Sequence, residues 1–279
     1  MKIWQAPAKI NLFLHIVGQR ADGYHLLQTV FQFLDYHDEL CFNPRQDGQI
    51  YCHYTLPGLD YHQDLVYRAA CLLKEHTGTS LGADIHLLKK IPQGAGLGGG
   101  SSNAATTLVA LNAHWGTGLA QPVLKALGCQ LGADVPIFID GRASWAEGIG
   151  EQLQPLDLPE PWYLVIVPNV NVSTAEIFRH PQLTRNQTPL RIRDFLAGMG
   201  TNICEPVVFA QYPVVAQAAL WLRRYASPRM SGTGSSVFAA FSDEAAARKV
   251  LDEKPDNYYG FVAKGLNQSP LLKRGVELR

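Results

Sequence analysis

No stretch of this 279-residue sequence approaches the roughly 20 consecutive apolar residues that a membrane-spanning helix needs. None reads as a secretory leader either: MKIWQAPAKINLFLHI carries a lysine and a proline inside its apolar run. There is no excess of charge, since twenty-four Lys and Arg face twenty-four Asp and Glu, and that balance removes the global field that would draw nucleic acid or an anionic membrane. Cysteine is scarce and scattered. Cys41, Cys52, Cys71, Cys129 and Cys204 form no CxxC pair, so zinc-ligand spacing is absent, and an odd count in a long chain points to free thiols in a reducing compartment. Low-complexity tracts, internal repeats and an Arg/Ser-rich targeting extension are missing too. The absences predict a soluble cytoplasmic protein, and a local basic site remains compatible with the balanced net charge. With 47% apolar and 17% charged residues the chain has an ordinary globular composition, and its length suits two domains.

What is present is an alternation of strands and helices. Ile10–Val17 and Leu27–Asp35 read as strands joined by a turn at Asp22-Gly23. A helix follows over DLVYRAACLLKEHTG, with Asp64 as N-cap, Gly78 just past its end, and Leu65, Ala69, Leu72 and Leu73 on one face. ADIHLLKKI reads as a strand, SSNAATTLVALNAHW as a helix starting near Ser101 or Ser102, and PVLKALGCQLG as a helix with Pro122 in its first turn. RASWAEGIGEQLQPL reads as a hairpin turning at Gly148–Gly150, and YLVIVPNV as a buried strand. The proline-rich segment Pro155–Pro161 marks a domain boundary. Beyond Asn202, one long helix (VVFAQYPVVAQAALWLRRY), a strand (SSVFAAF), a helix (DEAAARKVLDE) and a strand (YGFVAKGL) predict a second α/β or α+β unit.

Between the third strand and the second helix, five of the seven residues from Gly94 to Gly100 are glycine. Such density disfavours any regular element, yet it lets backbone N–H groups close in on an anion, and the following helix adds unpaired N–H groups and the positive end of its dipole. A flexible linker or a tight turn has the same composition. A P-loop requires GxxxxGK[ST], and Gly100 stands where the lysine would be. A GxGxxG match exists at Gly94, Gly96 and Gly99, but any glycine-dense stretch supplies one.

PQGAGLGGGSSNAA resembles the central motif P-x-x-x-G-L-G-S-S-A-A of the GHMP kinases, in the form found in the branch that phosphorylates a cytidine-diphosphate-linked methylerythritol. Three other segments agree. Ala6–Leu40 is similar to the amino-terminal signature of that branch, GADVPIF (Gly132–Phe138) to the segment holding its catalytic aspartate, and RMSGTGSSVFAAF (Arg229–Phe241) to its carboxy-terminal glycine motif.

The resemblance implies a two-domain α/β (α+β) fold: residues 1–155 an α/β domain, residues 156–279 a ferredoxin-like α+β domain, and the active site in the cleft between them. It implies transfer of the γ-phosphoryl of ATP, with Mg²⁺, to the 2-hydroxyl of the cytidyl-diphospho-methylerythritol, a step of the non-mevalonate route to isoprenoid precursors. The competing readings are another GHMP kinase with a different acceptor and a non-catalytic nucleotide-binding homologue. Monomer or weak homodimer is the expected state.

By the same resemblance Asp134 is the catalytic carboxylate, which takes or orients the hydroxyl proton. Lys9 beside it offsets charge on the transferring phosphoryl group, and Asn11, two residues along the strand, faces the same way. Tyr24 and His25 contact the cytidine, Phe178 is a second stacking aromatic, Thr174 touches substrate, and Gly232, Thr233 and Gly234 approach its phosphates. ATP falls to Lys89, Pro92, Gln93, Gly94, Ala95, Gly96, Leu97, Gly98, Gly99, Gly100, Ser101 and Ser102, with either serine as the oxygen nearest Mg²⁺. Taken singly, Asp134 reads as a turn cap, Lys9 as a solvated lysine, Phe178 as core, and Lys89 or its neighbour Lys90 as a solvated strand end. Two positions depart from the family: Ala95 interrupts the glycines, and Asp64 stands near the adenine side where asparagine is expected.

Overall fold

In the computed structural model, which describes residues 2–54, 56 and 60–272, the first two strands run longer than their alternation suggests, as β1 (Trp4–Gln19) and β2 (His25–Arg45). Residues 28–34 of β2 are buried on both faces, so the simple in–out pattern fades there. The turn between them is the expected one: Gly23 has a φ of 88° and Asp22 Oδ1 accepts from Tyr24 N at 3.2 Å.

A short β3 (Ile50–Cys52) lies parallel to β4 (Gly82–Leu88), with α1 (Leu65–Thr77) between them in sequence. Asp64 caps α1 by accepting from Val66 N, and Gly78 ends it in the left-handed conformation. Val66 and Ala70 join Ala69 and Leu73 as its buried face, with Leu65 and Leu72 only half-buried. Then come α2 (Gly99–His114), α3 (Gln121–Leu131, with Pro122 in its first turn), α4 (Val135–Asp140) and the hairpin of β5 (Ser144–Glu147) and β6 (Gln152–Pro155).

The second half contains β7 (Trp162–Pro168), α5 (Thr174–Arg179), α6 (Ile192–Leu196), α7 (Glu205–Gln211), α8 (Pro213–Leu222), β8 (Arg229–Met230), β9 (Val237–Phe241), α9 (Glu244–Asp252) and β10 (Tyr258–Leu266). The long helix expected after Asn202 is two helices. Pro213 lacks an N–H and disfavours helical backbone at Tyr212, which sits at φ −125°, ψ 77°. The strand order β10-β7-β9-β8, antiparallel throughout, gives this half the strand–helix–strand–strand–helix–strand plan of a ferredoxin-like unit. Gly265 and Leu266 of β10 pair with Leu34 and Phe33 of β2, so one sheet crosses both halves.

Several apolar cores follow from this layout. One packs Phe33, Leu40, Leu73, Leu108 and Phe138 in the first half, and another packs Leu164, Val208, Val215, Leu222 and Val237 in the second. Between them Ile10, Leu34, Val165, Phe238 and Phe261 surround Ile91, Ala95 and Leu97. The glycine stretch is therefore anchored by its apolar residues, each at most 2% exposed, and this excludes the linker reading. It also enters a regular element: α2 begins at Gly99, ahead of Ser101 and Ser102, and Gly98 with φ 69° stands just before it. Packing behind the loop overrides the poor helix propensity of Gly99 and Gly100.

Candidate active site

Lys9 is almost completely buried on β1, and its position follows from strand geometry. The alternation of β1 puts Lys9 and Asn11 on one face, where Lys9 Nζ donates to Asn11 Oδ1 at 2.6 Å and lies 3.2 Å from Asp134 Oδ2. Its ammonium lies over the Phe31 ring, 5.3 Å from the centroid. Asn11 Nδ2 donates to Thr29 Oγ1 at 2.9 Å, and Thr29 donates in turn to the Phe13 carbonyl, so the amide is oriented by a fixed chain. Asp134 immediately precedes α4 yet makes no capping bond, and its side chain is 36% exposed. Its carboxylate is left facing open space beside the ammonium rather than serving the helix.

The glycine loop turns its backbone in a way that peptide geometry makes legible. The carbonyls of Ala95, Gly96 and Leu97 accept from Ser236 N at 3.1 Å, Ser231 Oγ at 2.8 Å and Lys9 N at 3.0 Å. In a trans peptide the N–H of the next residue points opposite to the carbonyl, so the N–H groups of Gly96, Leu97 and Gly98 are directed away from those partners. The first intrahelical bond of α2 runs from Ser102 N to Gly98 O, so Gly99, Gly100 and Ser101 keep the unpaired amides of a helix start. Positive φ at Gly94, Gly96 and Gly98 (63°, 75° and 69°) makes this path.

Asp38 fixes the approach to the loop. It is fully buried on β2, accepts from the backbone N–H of Lys90 at 2.7 Å and Ile91 at 2.8 Å, takes a bond from Asn103 Nδ2 at 2.9 Å, and pairs with Lys89. Burial pushes the Lys89 ammonium below its usual pKa, and Asp38 pulls the other way. Lys90 points outward to Glu39.

Lys9, Asn11, Asp134, Lys89 and the glycine loop line one cavity of about 1030 Å³, together with Tyr24, His25, Thr174, Phe178, Gly232, Thr233 and Gly234. The Phe178 ring packs on that of His25 at 5.2 Å and 22°. Thr174 and Thr233 hydroxyls are 2.9 Å apart. Burial first, then the Arg185 charge, holds the His25 imidazole below its usual pKa. Asn202 Nδ2 holds the second glycine motif by donating to the carbonyls of Met230 at 2.8 Å and Gly232 at 2.7 Å.

The model of the GHMP kinases N terminal domain matches residues 64–142, and that of the GHMP kinases C terminal matches residues 183–260. A 4-diphosphocytidyl-2-C-methyl-D-erythritol kinase of Nitrosococcus oceani is 58% identical over 272 residues, covering 98% of this chain and 97% of the relative. The Pseudomonas aeruginosa protein of the same name is 53% identical, covering 96% and 95%. The chain belongs to the GHMP kinases, in the 4-diphosphocytidyl-2-C-methyl-D-erythritol kinase family. A crystal structure of 4-(cytidine 5'-diphospho)-2C-methyl-D-erythritol kinase superposes with a TM-score of 0.83 at 33% identity, covering 95% of this chain and 99% of that one. A mevalonate kinase crystal structure shares the fold at 15% identity, with a TM-score of 0.69.

In this GHMP kinase the cavity collects every residue singled out from the sequence except Ser102. That serine is fully buried in the first turn of α2, with no hydrogen-bond partner for its hydroxyl among the described residues, while Ser101 faces the cavity. Both oxygens of Asp64 are engaged, one by Val66 N and the other by Tyr54 OH, so its departure from asparagine does not leave a loose charge on the cavity wall. Phe178 belongs to both readings, since it packs on the second core and lines the cavity. Sequence reasoning passed over Asp38, Thr29, Ser231, Asn202 and Arg185. Asp38 and Thr29 lie inside the amino-terminal signature and Ser231 inside the carboxy-terminal glycine motif, where no role attaches to them, and Asn202 and Arg185 carry no pattern of their own.

Gly96 shows how tightly the kinase's two glycine motifs meet. A Cβ there would lie 2.2 Å from the Ser231 carbonyl oxygen and 2.9 Å from that of Gly234, at a φ of +75°. Gly96→Ala must therefore displace one motif or the other, and strained backbone of this kind costs about 1–3 kcal/mol, so KM for ATP should rise about tenfold or more. Steady-state rates across an ATP series check this, and an unchanged KM would mean that the loop does not carry the nucleotide.

Proposed function

We propose that this kinase transfers the γ-phosphoryl group of ATP to the 2-hydroxyl of 4-(cytidine 5'-diphospho)-2-C-methyl-D-erythritol, giving the 2-phosphate and ADP in the non-mevalonate route to isoprenoid precursors. The observation that carries the reading is the Lys9–Asp134 pair, 3.2 Å apart, lining one cavity with the glycine loop and with Tyr24, His25 and Phe178. The acceptor oxygen attacks the γ-phosphorus, its proton passes to the Asp134 carboxylate, and the bond to the β–γ bridging oxygen breaks to release ADP. Lys9 lies where it offsets negative charge on the oxygens in flight. The N–H groups of Gly96, Leu97, Gly98 and the start of α2, with Lys89, receive the phosphates of ATP, and the base lies toward Gln63, Asp64 and Leu65. Asn11, Thr174, Gly232, Thr233 and Gly234 hold the acceptor's methylerythritol and phosphates, and Tyr24, His25 and Phe178 its cytosine.

Among the described residues no three His, Cys, Asp or Glu side chains stand together as a metal cage. Magnesium arriving on ATP needs only one or two protein oxygens, and Ser101 on the cavity wall fits that need better than the enclosed Ser102. Bound there, Mg²⁺ would neutralise phosphate charge. We place the division between the two functional halves near residue 155, where the β5–β6 hairpin ends and the proline-rich stretch begins. No helix among the described residues is long and apolar enough to cross a membrane. A cytoplasmic monomer or weak dimer, acting on small molecules alone, completes the proposal.

ADP release coupled to NADH oxidation, run in parallel with the cytidyl substrate, mevalonate and homoserine, tests this reading. Turnover is expected with the first. Turnover of mevalonate or homoserine with none of the cytidyl compound would sink it.

A further inference from the structure

Arg185 stands on a segment that the rest of the molecule holds in place. Leu183 is buried in the second core, and Gln187 N donates to Ile16 O on β1 at 2.8 Å. From that footing the guanidinium is tied down almost completely. Nη1 donates to Leu183 O at 3.0 Å, and Nη2 donates to both Phe178 O and His180 O at 2.9 Å. Nε, on the other edge of the fork, donates to His25 Nε2 at 3.1 Å. The guanidinium is always charged and offers no lone pair, so His25 Nε2 must be the acceptor and carries no hydrogen. A neutral imidazole then has its proton on Nδ1. On the other side the His25 ring is covered by Phe178, which stops it from swinging away. Among the described residues Nδ1 has no partner of its own.

We propose that Arg185 is a positioning residue for the base end of the cavity: it fixes His25 in the Nδ1–H form, so that the wall presents a hydrogen-bond donor to the edge of a pyrimidine. This rests on the proposed substrate, because cytosine carries adjacent acceptors at O2 and N3, whereas the N3 of a uracil is itself a donor. Arg185 reaches the base only through His25. It also ties α5, which carries Thr174 and Phe178, to β2, which starts at His25, so the stacking ring and the donor keep one spacing.

The test uses the full chain with Arg185→Met and, as a charge-retaining control that lacks the fork, Arg185→Lys. Nitrogen-15 NMR of the imidazoles, with His25 assigned by the signal lost in His25→Asn, should show the Nδ1–H form in the parent protein. It should show a mixture or the Nε2–H form in both variants. KM for the cytidyl substrate should rise about tenfold, as the loss of one directed hydrogen bond implies, with KM for ATP left where it was. An Nε2–H imidazole in the parent protein, or a tautomer unmoved in either folded variant, would overturn the assignment. A tautomer that follows Arg185 in a protein that phosphorylates some other acceptor would support the assignment and refute the cytidyl reading.

Discussion

Asp134→Ala is expected to keep its nucleotide affinity and lose turnover by about 10²–10⁴-fold, the range that a positioned proton acceptor contributes. The structure makes the two effects separable. Asp134 makes no capping bond to α4 and its side chain is 36% exposed, so its removal takes nothing from the helix. Lys9 keeps Asn11 Oδ1 as a partner at 2.6 Å, so the ammonium is not stranded. The glycine loop, proposed above to receive ATP, is held through Ser231, Ser236 and the Lys9 backbone N–H rather than through Asp134. Calorimetric titration with a non-hydrolysable ATP analogue should therefore give a parent-like Kd. Asp134→Asn, which preserves shape without the basic oxygen, should be as inactive as the alanine variant. Turnover near that of the parent in either variant would remove Asp134 from the reaction.

Asp38 is the position where the largest loss of stability is expected. Its carboxylate is fully buried and serves four donors: Lys89, Asn103 and the backbone amides of Lys90 and Ile91. Replacing it with alanine leaves a largely buried ammonium and two backbone N–H groups without their acceptor, and removing one partner of such a pair costs about 3–5 kcal/mol. Asp38→Asn retains an oxygen for the two amides but turns an NH₂ toward Lys89, so its cost should be smaller. Adding Lys89→Met to Asp38→Asn removes the stranded charge and should recover part of the remainder. Urea unfolding of the three variants ought to rank them in that order. Equal losses in all three would mean that the pair is not what holds the glycine loop to β2.

The parts of this molecule legible in the sequence are those fixed by local pattern. Asp64 and Gly78 bracket α1 because capping is decided within a few residues, and the hairpin at Gly148–Gly150 follows from turn chemistry. The helix assumed to run through Pro213 was misread because its apolar periodicity continues across the break. The start of α2 was set too late because glycine propensity gave way to packing of Ile91, Ala95 and Leu97. In the site, Lys9, Asp134 and the glycines could be picked out only through their likeness to a family, since each alone has an ordinary reading as a surface lysine, a cap or a turn. Asp38, Arg185 and Ser231 stayed hidden because each acts through residues distant in sequence, and no spacing along the chain announces a partner 50 to 220 positions away.

The hydroxyl of Ser231 donates to Gly96 across 135 residues and accepts from Asn11 N across 220. Contacts of such high order form late, because the entropy of closing the chain must be met before they return anything. The shape of the glycine loop is therefore not a property of the first half of the polypeptide, although its residues lie there. A nascent chain that has not yet delivered the Arg229–Phe241 segment holds the glycines but not their shape, so catalytic competence arrives with the final strands of the fold.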